Sequence, residues 1–268
     1  MKIHRFRDSS GAPVYAREHG DGHYTRLEGG WLNWRDSGET YIPGKRLAPL
    51  DPVAIYCIGL NYADHAAESG SPIPGHPVLF MKSPLAVQHP GDPVVLPRHL
   101  RSDKVDYEVE LALVIGRDCK NATAANALDY VAGYMCANDI SARDWQSEWG
   151  GGQFCRGKSF DTFCPLGPCL VTPDEIPDPQ NLRLTTHLNG ECMQNGSTAR
   201  MIFPVVDLIV FLSGSTTLPA GSVVLTGTPP GVGAARKPPV FLKPGDHLRV
   251  EVEGCGVLEN PVVEEDCG

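Results

Sequence analysis

Asp106-Tyr107-Glu108-Val109-Glu110-Leu111-Ala112-Leu113-Val114-Ile115-Gly116 is the stretch from which the fold can be read. Side chains alternate along a strand, yet from Val109 onward both alternating sets are apolar apart from Glu110. A strand that is apolar on both sides has to be covered on both sides, so the pattern predicts a buried central strand over 105–116. Glu108 and Glu110 lie two apart and fall on one face. Two carboxylates at the end of a buried strand repel each other and lose hydration unless a proton or a cation lies between them. A solvated strand face carrying two acids is the plain alternative, and this stretch alone leaves both open.

A third carboxylate favours the cation. Asp139 closes the strand-like run Ala132-Gly-Tyr-Met-Cys-Ala-Asn-Asp139, and the chain turns polar there, continuing Ile-Ser-Ala-Arg143-Asp144. Three oxygen donors with no Cys or His among them describe a hard-cation site that keeps some waters, which suits Mg²⁺ or Mn²⁺ better than Zn²⁺.

Upstream, the run Gly59-Leu-Asn-Tyr-Ala-Asp-His65-Ala-Ala-Glu68-Ser-Gly70 reads as a strand end followed by a helical turn. His65 and Glu68 are three apart, hence on one helix face. The carboxylate can fix the imidazole tautomer and raise its basicity, giving a general base; an ordinary surface pair is the alternative. Glycines and prolines crowd the following residues to Pro77, which suits a lid over 62–76. Downstream, Lys158 follows Gly150-Gly-Gly152 and can reach a substrate carboxylate. Thr226-Gly-Thr228-Pro-Pro-Gly-Val-Gly233 is a rigid loop offering amides and hydroxyls, without the Gly-Lys-Ser/Thr ending of a phosphate loop.

The rest of the chain frames these motifs. Residues 1–52 alternate polar and apolar positions between glycine turns and end in a proline-rich joint, which predicts a small β-rich module ahead of a catalytic domain over 53–268. Further strands are expected at Val53–Ile58, Leu182–Leu188 and His247–Val252, and helices at Thr123–Tyr130 and after Pro204. With 29 glycines and 24 prolines, the expected class is mainly β with short helices, an α+β chain of many short strands. A formal charge of -9 argues against nucleic acid or an anionic membrane as partner, but not against a small anionic substrate drawn to a bound cation. Nine cysteines without a CxxC pair read as reduced thiols in a reducing compartment, with Cys155 the only candidate for a reactive one. The opening residues lack an apolar leader segment, and the expected location is the cytoplasm.

Taken together and in order, five segments resemble the fumarylacetoacetate hydrolase family: Gly-Leu-Asn-Tyr-Ala-Asp-His, Asp-Tyr-Glu-Val-Glu-Leu, Asn-Asp-Ile-Ser-Ala-Arg-Asp, Gly-Lys-Ser-Phe-Asp-Thr-Phe-Cys-Pro-Leu-Gly-Pro and Leu-Thr-Gly-Thr-Pro-Pro-Gly-Val-Gly. The similarity runs from about Ile55 to Val263, and the run Arg236–Asp246 resembles the subgroup called domain-containing protein 2. The resemblance implies a mixed β-sandwich roll, a homodimer, and Mg²⁺ or Mn²⁺ held by Glu108, Glu110 and Asp139. It also implies a His65–Glu68 dyad on a lid, a substrate-facing Lys158, a substrate-contacting Thr228, and a polar wall from Arg143 and Gln146. The implied activity is hydrolysis of a C–C bond in a small anionic 2-oxo acid of the acylpyruvate type through a metal-bound enolate. Oxaloacetate tautomerisation or decarboxylation is the alternative at the same site. A non-catalytic metal-binding protein is the remote one, since it would need neither His65, Glu68 nor Lys158.

Overall fold

The computed structural model describes residues 1–268. Most of its regular structure is β, with a few short helices, giving the α+β class expected. A large sheet of 12 strands and a smaller one of 5 strands carry the chain. Along the large sheet the order is Arg35–Tyr41, Tyr24–Glu28, Pro13–Glu18, Lys2–Arg7, Cys164–Val171, Val131–Asn138, Val109–Ile115, Val223–Leu225, Ile55–Gly59 and Val78–Lys82. The small sheet runs Glu191–Ser197, Arg183–Leu188, His247–Val252, Gly256–Glu264 and Val94–Leu96.

The Val109–Ile115 strand is central and wholly buried, as its composition requires. One face, through Val109, Leu111, Leu113 and Ile115, packs on Leu184, Val250 and Val252 of the small sheet. The other, through Ala112 and Val114, packs with Ile3, Leu27, Ala48 and Leu50 from the N-terminal residues. Fully burying one Leu or Ile side chain stabilises a fold by roughly 1.5–3 kcal/mol, so both faces contribute to holding this strand. The N-terminal residues form the expected strands, and these continue the large sheet: Lys2 pairs with Val171 and Ile3 with Leu170.

Two expected elements differ. The strand foreseen over 105–116 is two strands, Val105–Asp106 and Val109–Ile115. At the break, side chains replace backbone partners: Tyr107 N donates to Asp106 Oδ1 at 2.8 Å and Glu108 N to Asn138 Oδ1 at 2.9 Å. The helix foreseen at Thr123–Tyr130 shrinks to a 3₁₀ turn at Ala127–Tyr130. There Asn126 Oδ1 accepts from Thr123 N at 2.8 Å, a local bond that competes with helix formation. The helix after Pro204 forms over Val205–Ser213, and the strands foreseen near 55, 183 and 247 form at Ile55–Gly59, Arg183–Leu188 and His247–Val252. No helix is long and apolar enough to cross a membrane.

Candidate active site

A cavity of about 420 Å³ opens where the central strands end. It is lined by all nine residues to which the family resemblance gave a role: His65, Glu68, Glu108, Glu110, Asp139, Arg143, Gln146, Lys158 and Thr228; Cys155 is not among its lining. Ligand oxygens of Glu108, Glu110 and Asp139 all lie within 4.8 Å of one another, and all three residues are buried. The register explains the meeting. Val109 pairs with Asn138 and Glu110 with Ala137, so the two strands bring their acids to one end, where Asp139 N donates to Glu108 O at 2.8 Å.

Two unit charges 4 Å apart repel by about 4 kcal/mol at an effective dielectric constant of 20, so the cluster needs cations. The chain supplies two lysines. Lys158 Nζ donates to Glu108 Oε2 and Asp139 Oδ2, each at 2.7 Å. Lys82 Nζ donates to Asp139 Oδ1 at 2.5 Å and to Ile140 O at 3.1 Å, and its side chain is fully buried. Burial alone would raise the Glu108 carboxyl, but Lys158 and then Arg143 outweigh it and hold its pKa at about 2. Glu110 goes the other way. Burial, then Asp139 and Glu108, push its pKa well above the ordinary carboxylate value. Its carboxylate accepts one hydrogen bond, from Gly227 N at 2.6 Å. A carboxylate so poorly compensated among two others fits an oxygen-ligated divalent cation, and the donor set contains no soft ligand.

Across the cavity, His65 Nδ1 lies 2.7 Å from Glu68 Oε1. Both Glu68 oxygens accept from Gly231 N, at 3.1 and 2.9 Å, which pins the Ala63–Glu68 helix to the Gly/Pro loop. The chain enters this helix through Leu60, a non-glycine residue in the left-handed region with φ 52°. Such backbone strain persists only where neighbours enforce it. The enforcing neighbour is Asn61, whose Nδ2 donates to Phe203 O at 3.0 Å and Thr226 O at 2.8 Å while its Oδ1 accepts from Phe203 N at 2.8 Å. Gly227 is required opposite, since a Cβ there would lie 2.7 Å from Asn61 Cβ at φ +101°.

Two site residues behave differently from their reading in the sequence. Lys158 faces the cavity but spends two of its three donors on Glu108 and Asp139, which leaves one for a substrate. The Thr228 hydroxyl donates to Val109 O at 2.9 Å and accepts from Gln194 Nε2 at 2.8 Å, so its remaining capacity is as an acceptor. Sequence reasoning missed Lys82, Asn138 and Gln194, each buried and each bonded to a residue of the site. Lys82 could have been suspected: a lysine inside Val78-Leu-Phe-Met-Lys82 is out of place in an apolar strand unless paired. Cys155 is exposed and free, whereas six of the nine cysteines are buried; burial raises the thiols of Cys164 and Cys169 to about 12.

Residues 54–263 match the family described as Fumarylacetoacetate (FAA) hydrolase C-terminal. This chain belongs to the fumarylacetoacetate hydrolase family. Its relatives include the human (Homo sapiens) protein named oxaloacetate tautomerase FAHD2A, mitochondrial, 50% identical over 218 residues, covering 81% of this chain and 69% of the relative. The Xenopus laevis protein named oxaloacetate tautomerase fahd2, mitochondrial, is likewise 50% identical, covering 81% and 68%. Among solved structures, a fumarylacetoacetate hydrolase from Exiguobacterium antarcticum superposes with a TM-score of 0.89 at 38% identity, covering 99% of this chain and all of that one. A 5-carboxymethyl-2-hydroxymuconate delta-isomerase from Mycobacterium smegmatis gives 0.86 at 36%, with 99% and 100% covered. The two solved structures carry names from different reaction classes on one fold, so fold alone does not choose the reaction here.

Proposed function

We propose that this family member is a divalent-cation-dependent keto–enol tautomerase of a small 2-oxo diacid of the oxaloacetate type. The observation that carries it is a His–Glu base standing across one cavity from a buried three-carboxylate cluster. Glu108, Glu110 and Asp139 would hold Mg²⁺ or Mn²⁺. When bound, the cation supplies Lewis-acid polarisation of the 2-oxo oxygen. Glu68, accepting from Gly231 N, keeps the proton on His65 Nδ1 and leaves Nε2 free as the base. In the keto-to-enol direction His65 Nε2 takes one proton from C3, and one proton is returned to the oxygen on C2. Only C–H and O–H bonds change, so no co-reactant is needed. Arg143, Gln146 and Lys158 orient the carboxylate, and Thr228 closes the cavity floor. The names of the relatives near half identity support this choice over the hydrolase expected from the sequence.

Hydrolysis of an acylpyruvate-type C–C bond is the second reading. The volume favours it, because about 420 Å³ is ample for a substrate longer than a four-carbon diacid. The same dyad would then deprotonate water. One experiment separates the two: decay of the enol absorbance of oxaloacetate beside pyruvate release from several acylpyruvates, with Mg²⁺ present. Enol decay without pyruvate supports the tautomerase; pyruvate release without faster enol decay overturns it.

We also propose a homodimer. The Val78–Lys82 strand ends the large sheet, and near its open edge Leu79, Met81 and Leu85 are exposed. Light scattering on the purified protein checks this. A cytoplasmic location suits nine unpaired thiols; the relatives named above carry the word mitochondrial, and cell fractionation decides.

A further inference from the structure

Asp106 is the acid of the opening stretch that cation binding leaves without a task. It is fully buried, two residues before Glu108. Its Oδ1 accepts from Tyr107 N and Gly233 N, each at 2.8 Å. Its Oδ2 accepts from Ala234 N and from Arg143 Nε, each at 2.9 Å, with Arg143 Nη2 also 2.9 Å away. A short ladder sets this up: Val105 pairs with Ala142 and Asp106 with Ser141, so Arg143 comes just past the pairing. The loop is seated closely, since a Cβ on Gly233 would lie 2.7 Å from Asp106 Oδ1 and 1.9 Å from Val240 O. A buried carboxylate with four N–H donors is held in one orientation, and it orients its donors in return.

What it orients is the cavity wall. With Nε turned to Asp106, Arg143 reaches Glu108 Oε1 through Nη1 at 2.7 Å and Gln146 Oε1 at 2.9 Å. A guanidinium beside three buried carboxylates is drawn toward them, and one free to swing would lie across the place a cation takes. A second tie runs through the loop, whose Gly231 N holds Glu68. We propose that Asp106 is a positioning residue that tethers the Arg143 fork and the Gly231–Ala234 loop, holding the guanidinium at the cavity wall beside Glu108 and Gln146 and keeping it from swinging across to Glu110 and Asp139. This rests on Arg143 facing a 2-oxo acid, as argued above.

The test reads binding without turnover. Oxalate serves as the probe, titrated by calorimetry into Mg²⁺-saturated protein. Asp106→Asn keeps the shape but turns an amide group toward N–H donors. It should lower oxalate affinity about 10–100-fold, the usual effect of losing an outer partner of a site. In an Arg143→Ala background the same change should cost less than about twofold more, because both act through one link. Losses that simply add overturn the tether. If Asp106→Asn does not fold by circular dichroism, Arg143→Lys keeps the charge and removes the fork; it should lose oxalate affinity to a similar extent, and an unchanged affinity overturns the proposal. Wild-type protein that binds Mg²⁺ but not oxalate overturns the reading of the site and the tether with it, whereas additive losses overturn the tether alone.

Discussion

The two walls of the cavity are built on different supports. Glu108, Glu110 and Asp139 stand at the ends of central strands and are buried, with Glu108 and Asp139 clamped by Lys82, Lys158 and Arg143. His65 and Glu68 stand on a six-residue helix that runs into Gly70 and a run of largely exposed residues up to Pro77. The carboxylate wall is rigid because its strands belong to the core. The dyad wall is held at its entrance by Asn61 and at its exit chiefly by the bonds from Gly231 N to Glu68. A rigid wall suits a fixed charge cluster, while a wall fastened at few points suits a base that must admit and release substrate.

The harshest way to break this comparison is to remove the cation. Exhaustive chelation should abolish turnover and added Mg²⁺ or Mn²⁺ should restore it; full activity in chelator would dismantle the carboxylate wall as a metal site. Next in size is His65→Ala, expected to cost about 10²–10⁴-fold in turnover, the usual loss of a general base, with Mg²⁺ affinity by calorimetry unchanged. Glu68→Gln should cost less, roughly 10–100-fold, because it acts through the imidazole. It should also speed amide hydrogen exchange over 62–76, whereas oxalate should slow exchange there in wild type; equal exchange in all three states would remove the distinction between the walls. The smallest effect sharpens the comparison instead. Glu110→Gln takes a poorly compensated charge out of the cluster, so metal-free protein should gain roughly 1 kcal/mol or more in urea unfolding. The same variant should lose Mg²⁺ affinity in calorimetry, and a loss of stability would show that Glu110 is better compensated than its surroundings indicate.

The rigid wall was the legible one. A strand with apolar residues on both alternating sets reads as central, so two acids at its end stood out from composition and spacing, although the stretch alone left a solvated face open until Asp139 was added. Asp139 followed from the same logic. What compensates them was harder to see, because Lys82 lies 57 positions from Asp139 and only sheet register brings them together. The break at Tyr107 was hidden for a similar reason, since the Asn138 side chain that replaces a backbone partner comes from another strand. Thr228 was legible as a residue of the loop, but the direction of its hydroxyl depends on Gln194, which no local pattern marks.

The attachment of the N-terminal strands to Leu170 and Val171 bears on how the protein keeps from aggregating. Cutting the chain at the proline-rich joint would strip Lys2–Arg7 from beside Cys164–Val171 and bare the apolar face that Ile3, Leu27, Ala48 and Leu50 cover. The residues that match the family would then present a new sheet edge next to an uncovered apolar surface, a template for edge-to-edge pairing between molecules. The first fifty residues thus contribute no side chain to the cavity, yet they cover the sheet that carries it and move its edge out to the polar, exposed strand Arg35–Tyr41.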